Sequence, residues 1–125
     1  MNKKKIADYM LRADTAIQAA NIVNKDGRIP SEFGGYISSF GAAIVQSGLL
    51  PTIAFFNRDS TSSTEDKGKV VKAIAHILNE GNLFTTVKAA PEDAVLFKNI
   101  VHAAVALKLV LRTYPLTKEK NNDNA

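Results

Sequence analysis

Apolar residues recur every three or four positions along most of the chain, which is the spacing of one face of an α-helix. In the first segment this stripe consists of Ile6, Met10, Ala13, Ile17 and Ala20. The segment from Asn24 to Gly27 ends the helix, and Ile29-Pro30 prevents an immediate restart because a residue before proline avoids the helical conformation. The chain therefore begins with one amphipathic helix.

The segment from Phe40 to Phe56 indicates two helices joined by a short break. Gly48 suits a positive φ at the end of the first of them, since glycine has no Cβ to clash there. Pro51 suits the first turn of the next helix, where a missing N–H breaks no hydrogen bond. Both sides of the break are apolar, so the pattern predicts a joint inside the fold and a short helix buried on all sides.

The helix before this break carries three glycines. Ser31 is the predicted N-cap, and the predicted inner face comprises Phe33, Tyr36, Ile37, Phe40, Ile44 and Ser47. Gly34, Gly35 and Gly41 each lower the helix propensity by about 1 kcal/mol. We expect the close approach of a neighbouring helix to compensate for that loss.

The second half of the chain predicts two further long helices. The first begins after a cap at Ser63 or Thr64 and ends at Gly81, with a core face of Val70, Val71, Ile74, Ile77 and Leu78. A short helical turn over 83–88 is expected to follow. The last helix extends from Pro91 to Tyr114, with Glu92 and Asp93 in its first turn. Its apolar residues cover more than one face, which is typical of a central helix or of one that contacts a partner protein.

These patterns predict an all-α fold, a compact single-domain bundle of five to six helices over residues 1–114 with a long C-terminal helix. A polar loop is predicted from Asp59 to Thr64, and a disordered polar tail over 115–125. The apolar run from Gly41 to Phe56 is shorter than the ~20 residues that span a membrane. Acidic residues interrupt any signal-peptide pattern at the start. We therefore expect a cytoplasmic protein without a membrane partner.

Positive charge is concentrated in the second half of the chain. The formal net charge is +4 and the isoelectric point is near 9.4. Residues 1–66 are balanced, whereas seven basic residues face three acidic ones between Lys67 and Tyr114. An excess of this kind is typical of proteins that meet a polyanion, although solvated lysines on ordinary helix surfaces produce the same count.

The sequence contains none of the residue patterns that are typical of a catalytic site. The chain has no cysteine, and its two histidines, His76 and His102, lie on different predicted helices without metal-ligand spacing. The acidic pairs 65–66 and 92–93 stand at helix starts, where they suit the helix dipole. No phosphate-binding glycine loop or nucleophile motif occurs. The sequence therefore indicates a protein that is not an enzyme, with no metal, cofactor or small-molecule substrate.

Basic side chains on two of the predicted helices form a candidate nucleic-acid site. The candidate contacts are Lys67, Lys69 and Lys72 on the fourth helix, and Lys98, Lys108 and Arg112 on the last. The latter three fall within one half of the helical wheel, beside His102. Such side chains bind phosphates without reading bases, so any binding is expected to be weak, salt-sensitive and independent of sequence.

An aromatic-containing helix that runs into a glycine-leucine break resembles the small subunit of type III-B (Cmr) CRISPR effector complexes. That family tends to show a Tyr-x-x-x-Phe/Leu helix followed by Ile-x-x-x-Gly-Leu-x-x-x-(Ile/Leu)-Ala-Phe. The matching residues here are Tyr36, Phe40, Ile44, Gly48, Leu49, Ile53, Ala54 and Phe55. The opening helix and the long closing helix also agree in order and spacing, so the resemblance covers most of residues 3–114.

The resemblance implies a non-catalytic, RNA-binding scaffold subunit of an antiviral ribonucleoprotein that targets RNA. Its partners would be other Cmr-type subunits, including copies of itself, and the phosphate backbone of the guide RNA–target RNA duplex, while cleavage would belong to other subunits. Two alternatives stay open on the residues alone. One is a helical adaptor that binds only proteins, and the other is a small DNA-binding regulator.

Overall fold

The computed structural model describes residues 2–57 and 65–117 of the chain. Within these ranges the chain forms six α-helices: α1 (Lys3–Ala19), α2 (Glu32–Ser47), α3 (Leu49–Asn57), α4 (Glu65–Ile77), α5 (Leu83–Ala89) and α6 (Ala94–Leu111). Sheet structure in the same ranges is limited to one isolated parallel bridge between Ile29 and Leu116. The predicted all-α class is therefore confirmed. The predicted loop at 59–64 and residues 118–125 of the predicted tail lie outside the described residues.

The long helix α6 packs against both α1 and α2. α4 covers α1 and α3, and α5 lies against α3. The buried residues of α6 are Ile100, Ala103, Ala104, Ala106, Leu107, Val110 and Leu111. By length and composition α6 would also be apolar enough to cross a membrane, but these residues face neighbouring helices, as in the core helix of a bundle.

α1 and α6 run in the same direction along their shared seam. Near their N-terminal ends the Lys5 ammonium donates a hydrogen bond to the Asn99 side-chain oxygen. Near their C-terminal ends the Tyr114 hydroxyl donates to the Asp14 carboxylate. That hydrogen bond is the main reason that the pKa of Tyr114 is raised, with burial adding to the effect. Polar contacts thus fix the register of the seam at both ends.

Side-chain caps define where several helices begin. The Asn2 side chain accepts from the Lys5 N–H at 3.0 Å, and the Asp93 carboxylate accepts from the N–H groups of Val95 and Leu96 at 2.9 and 3.1 Å. The expected start of the last helix at Pro91 is wrong, because Asp93 caps a helix that begins at Ala94.

The second helix begins after Ser31 as predicted, although the expected capping bond is absent, and the end of the fourth helix differs from the prediction. Ser31 makes no side-chain capping bond, since its backbone is already helical. The fourth helix ends at Ile77, before Asn79 adopts a φ of 60°. The predicted end at Gly81 is therefore wrong, and an asparagine takes the left-handed position that glycine was expected to occupy.

The break between α2 and α3 has the predicted backbone but not the predicted burial. Gly48 has a φ of 89°, and Pro51 lies in the first turn of α3. Across the break, the rings of Phe40 and Phe56 meet edge to face with centroids 5.2 Å apart. Pro51 itself is exposed, however, and Phe55 is 44% exposed. α3 is thus buried on one face only.

The glycines of α2 do not mark a close helix contact. A Cβ built at Gly34, Gly35 or Gly41 would meet no atom within 4 Å beyond the adjacent residues and the nearby backbone of its own helix. The expected compensation by a closely packed neighbour is therefore wrong. The buried face of α2 comes instead from its large side chains, among them Phe33 and Phe40.

The chain that follows α6 folds back onto the segment before α2. The Ile29 N–H donates to the Pro115 carbonyl at 3.0 Å, and the Thr117 N–H donates to the Ile29 carbonyl at 2.9 Å. The Arg28 guanidinium also donates to the Leu116 carbonyl at 3.0 Å. Residues 115–117, where the predicted polar tail begins, are therefore held against the bundle.

We expect Gly41→Ala to raise the free energy of unfolding by about 0.5–1 kcal/mol, because Gly41 is helical and has space for a methyl group. Gly48→Ala is the matched change at a positive φ and should lower it by on the order of 1–3 kcal/mol. Urea unfolding followed by circular dichroism measures both values. A loss of stability from Gly41→Ala would show that this helix does require glycine there.

Candidate nucleic-acid interface

The outward face of α6 carries three of the predicted basic residues. Lys98 and Arg112 are exposed and Lys108 is partly exposed. None of the three side chains has an ion-pair or hydrogen-bond partner among the described residues. At 1.5 Å per residue, Lys98 and Lys108 are about 15 Å apart along the helix axis, and Arg112 lies about 6 Å further on. The sequence therefore places three available cations along one helix.

Apolar side chains occupy the same face between these cations. Val101 and Val105 are partly exposed and Leu109 is 38% exposed. Val95 at the start of the helix is 65% exposed. This agrees with the apolar pattern on more than one side of the last helix. The face can therefore meet both an anionic chain and an apolar surface.

Lys98 lies in a pocket between the start of α1 and the first half of α6. The pocket has a volume of about 400 Å³ and is lined by Asn2, Lys5, Val95, Lys98, Asn99 and His102. Besides its bond to Asn99, the Lys5 ammonium lies 5.8 Å from the centroid of the Tyr9 ring. Lys5 was not among the predicted contacts, because only the packing of α1 on α6 brings it next to Lys98.

His102 is the titratable group of this pocket. Its Nδ1 atom is shielded from solvent and makes no hydrogen bond within the described part of the chain. Burial, and then the positive charges of Lys5 and Lys98, hold the pKa of His102 below the ordinary value of 6.5. These effects favour the neutral form of His102, and both lysines direct positive potential towards it.

Lys108 and Arg112 line a second depression, on the α2 side of α6. This groove has a volume of about 440 Å³, and its wall on α2 includes Gly34 and Ser38. Leu116, which is 51% exposed, closes it at the end of the folded-back segment. The two cations thus stand at the edge of an apolar groove and do not project singly from the surface.

The ammonium groups of two of the three predicted lysines on α4 contact other groups of the protein. The Lys67 ammonium lies 5.0 Å from the ring centroid of Phe55 and 6.0 Å from those of Tyr36 and Phe56. Lys69 forms a 3.6 Å ion pair with Asp66 and donates to the backbone carbonyl of Asn21 at 3.1 Å. Such contacts hold both ammonium groups near aromatic or acidic partners.

The third lysine of α4 lies elsewhere. Lys72 is exposed and lines a hollow with Ala19 at the end of α1 and with His76. The two histidines therefore stand in different pockets, each beside a lysine. The described residues contain no group of three or more histidine, aspartate or glutamate side chains placed to hold a metal ion.

Comparison with known proteins gives one match. A family model described as CRISPR-associated protein (Cas_Cmr5) matches residues 10–113. That range contains all six predicted basic residues and ends just beyond α6. No curated protein and no solved structure shows significant similarity to the chain.

We expect Lys5→Gln and Lys98→Gln each to raise the pKa of His102, because each removes a positive charge that opposes protonation. NMR titration of the imidazole signals measures the change, with His76 as a second signal in the same spectrum. Lys72→Gln removes an equal charge outside the pocket and should leave the His102 titration as it is. Identical His102 titrations in all three variants would contradict the arrangement described.

In the native chain, the lowered pKa of His102 also makes the free energy of unfolding depend on pH. Between the ordinary value and the folded value, the unfolded chain binds more protons at position 102. The contribution of His102 to stability should therefore decrease as the pH falls through that interval, and urea midpoints at a series of pH values for the native chain and for His102→Gln would show it.

Proposed function

The chain belongs to the Cmr5 family of CRISPR-associated proteins and is thus a subunit of a type III-B effector complex, in which we propose that it acts as a non-catalytic scaffold that binds RNA along α6. The cations of α6 would contact the phosphate backbone of the guide RNA–target RNA duplex. Other Cmr-type subunits and further copies of this chain would contact its apolar surfaces. The complex would act in the cytoplasm.

The observation that carries this proposal is the set of cations on the outward face of α6. From Lys98 to Arg112 the helix rises about 21 Å, a length over which a nucleic-acid strand presents several phosphates. Lys98 and Arg112 also lie within about 40° of each other around the helix axis. Contacts of this kind position a strand but carry no sequence information, which suits a subunit that must accept any guide.

The lysines of α4 contribute less to the proposed surface. The Lys67 ammonium lies beside the rings of Phe55 and Tyr36, so it stands against α2 and α3 and not on the outward face of α6. To reach a phosphate, Lys69 would have to give up Asp66 and the Asn21 carbonyl. We therefore assign the main RNA contacts to α6 and regard Lys72, which lies in a different hollow, as a separate surface cation.

The exposed apolar residues favour one second candidate function, an adaptor that binds only proteins. Leu11 and Val45 are 80% and 76% exposed, and exposed apolar side chains of this size are common in protein interfaces. They do not explain why three cations of α6 have no acidic partner among residues 2–57 and 65–117. Protein contacts and RNA contacts are compatible in one subunit, so measurements of RNA binding decide between the two functions.

We expect the triple change Lys98→Glu, Lys108→Glu and Arg112→Glu to weaken RNA binding at least tenfold at low salt. The logarithm of the affinity should also depend less steeply on the logarithm of the salt concentration, by about 2, since each phosphate contact contributes roughly 0.7. Fluorescence anisotropy of a labelled single-stranded RNA measures both quantities, with circular dichroism to verify helix content.

The matched control is Lys25→Glu, Lys72→Glu and Lys88→Glu, which changes the net charge equally but leaves α6 intact. An equal loss of RNA binding in the control would mean that overall charge, and not α6, is responsible. If the native chain does not bind RNA at low salt but still joins the other subunits, the adaptor function is correct. Equal affinity for a DNA duplex of the same length would instead favour the DNA-binding alternative.

A further inference from the structure

We propose that the pocket between α1 and α6 binds a single phosphate group through Lys5, Lys98 and His102. This inference rests on the proposed function and deepens it, because it assigns one phosphate of the bound RNA to a defined cradle. Lys5 and His102 are added to the contacts that the sequence predicted, and Lys98 is the residue that the pocket shares with the α6 surface.

The pocket is built from residues of two helices. Lys5 belongs to α1, whereas Lys98, Asn99 and His102 belong to α6. Asn99 accepts a hydrogen bond from the Lys5 ammonium, and the Tyr9 ring lies 5.8 Å from that group. An ammonium held in this way loses less conformational freedom on binding than a lysine free in solvent. The volume of about 400 Å³ is ample for one phosphate group with water.

His102 supplies an imidazole that makes no hydrogen bond among the described residues. Its Nδ1 is shielded from solvent and lacks a partner within the described ranges. Because Nδ1 is shielded, a phosphate in the pocket would accept from the other ring nitrogen, Nε2, and would favour the protonated imidazole, which donates from both nitrogens. The charged groups that face His102 among the described residues are Lys5 from α1 and Lys98 from its own helix.

The same two lysines explain why an anion is the fitting ligand. They hold the pKa of His102 down, after the larger effect of burial, which means that two positive charges act on one small volume. A phosphate placed there would be attracted by both ammonium groups. The N-terminus of α1, which begins at Lys3 beside the pocket, adds a partial positive charge of the same sign.

The decisive measurement is an NMR titration of the full-length chain with labelled histidine. Unlabelled single-stranded RNA is added in one series and inorganic phosphate in another. We expect RNA to shift the His102 signals and to raise the pKa of His102 by about one unit, which corresponds to roughly tenfold tighter binding by the protonated form. The His76 signals, from a different pocket, should stay in place.

Lys5→Gln should weaken RNA binding severalfold and reduce the RNA-induced shift of the His102 pKa. Its matched control is Lys4→Gln, which removes an equal charge from the adjacent residue of α1. Lys4 is outside the pocket lining and pairs with Asp8 at 3.7 Å in a well-exposed position. Circular dichroism of both variants ensures that the helices are intact.

The outcomes separate this inference from the proposed function. One result would overturn the pocket proposal and leave the scaffold function standing. In it, the triple change on α6 abolishes RNA binding, Lys5→Gln and Lys4→Gln have equal RNA affinity, and RNA does not shift the His102 NMR signals. If the triple change also has no effect, both fail. If inorganic phosphate shifts His102 but RNA does not, the pocket is a site for small anions, and its assignment to the RNA backbone is overturned.

Discussion

The apolar seam of α6 is the constraint on which the rest of the structure depends. Ile100 and Leu107 are completely buried there, and full burial of such side chains contributes about 1.5–3 kcal/mol each. Because α1, α2 and α4 all pack against α6, only the side of α6 that these helices leave uncovered can face outward. The polar contacts of Lys5 with Asn99 and of Tyr114 with Asp14 then fix how α1 lies along it.

That packing also determines which cations of the chain are available. The first turn of α4 lies close to α2 and α3, so the Lys67 ammonium contacts aromatic rings of those helices. Lys69 forms an ion pair with Asp66 of α4 itself. The cations of α6 point away from the core, where the described residues offer no acidic partner. Residues of one chemical type therefore divide into structural and available groups according to the helix that carries them. Net charge alone does not distinguish the two groups.

Local features of this fold were predictable from the sequence. The helices follow from the apolar repeat, and Gly48 takes a positive φ for which glycine is suited in any fold. The start of α6 was not predictable to the residue, because Pro91 and Asp93 both suit a first turn. The contact of Lys67 with aromatic rings, and of Lys5 with the pocket of His102, joins residues from different helices. No local pattern specifies which helices become neighbours, so these contacts required the structure.

The parallel course of α1 and α6 has a consequence for how the protein reaches its native state. Antiparallel neighbours in sequence can pair as soon as a short turn connects them, whereas the partners of this seam are separated by more than seventy residues. A ribosome therefore has to synthesise α6 before it can pack against α1, and until then α4 is the long helix that is available to cover part of the apolar stripe of α1. High contact order of this kind slows folding relative to a simple up-and-down bundle, so coexpressed subunits or chaperones should matter most for nascent chains in which α6 has yet to emerge.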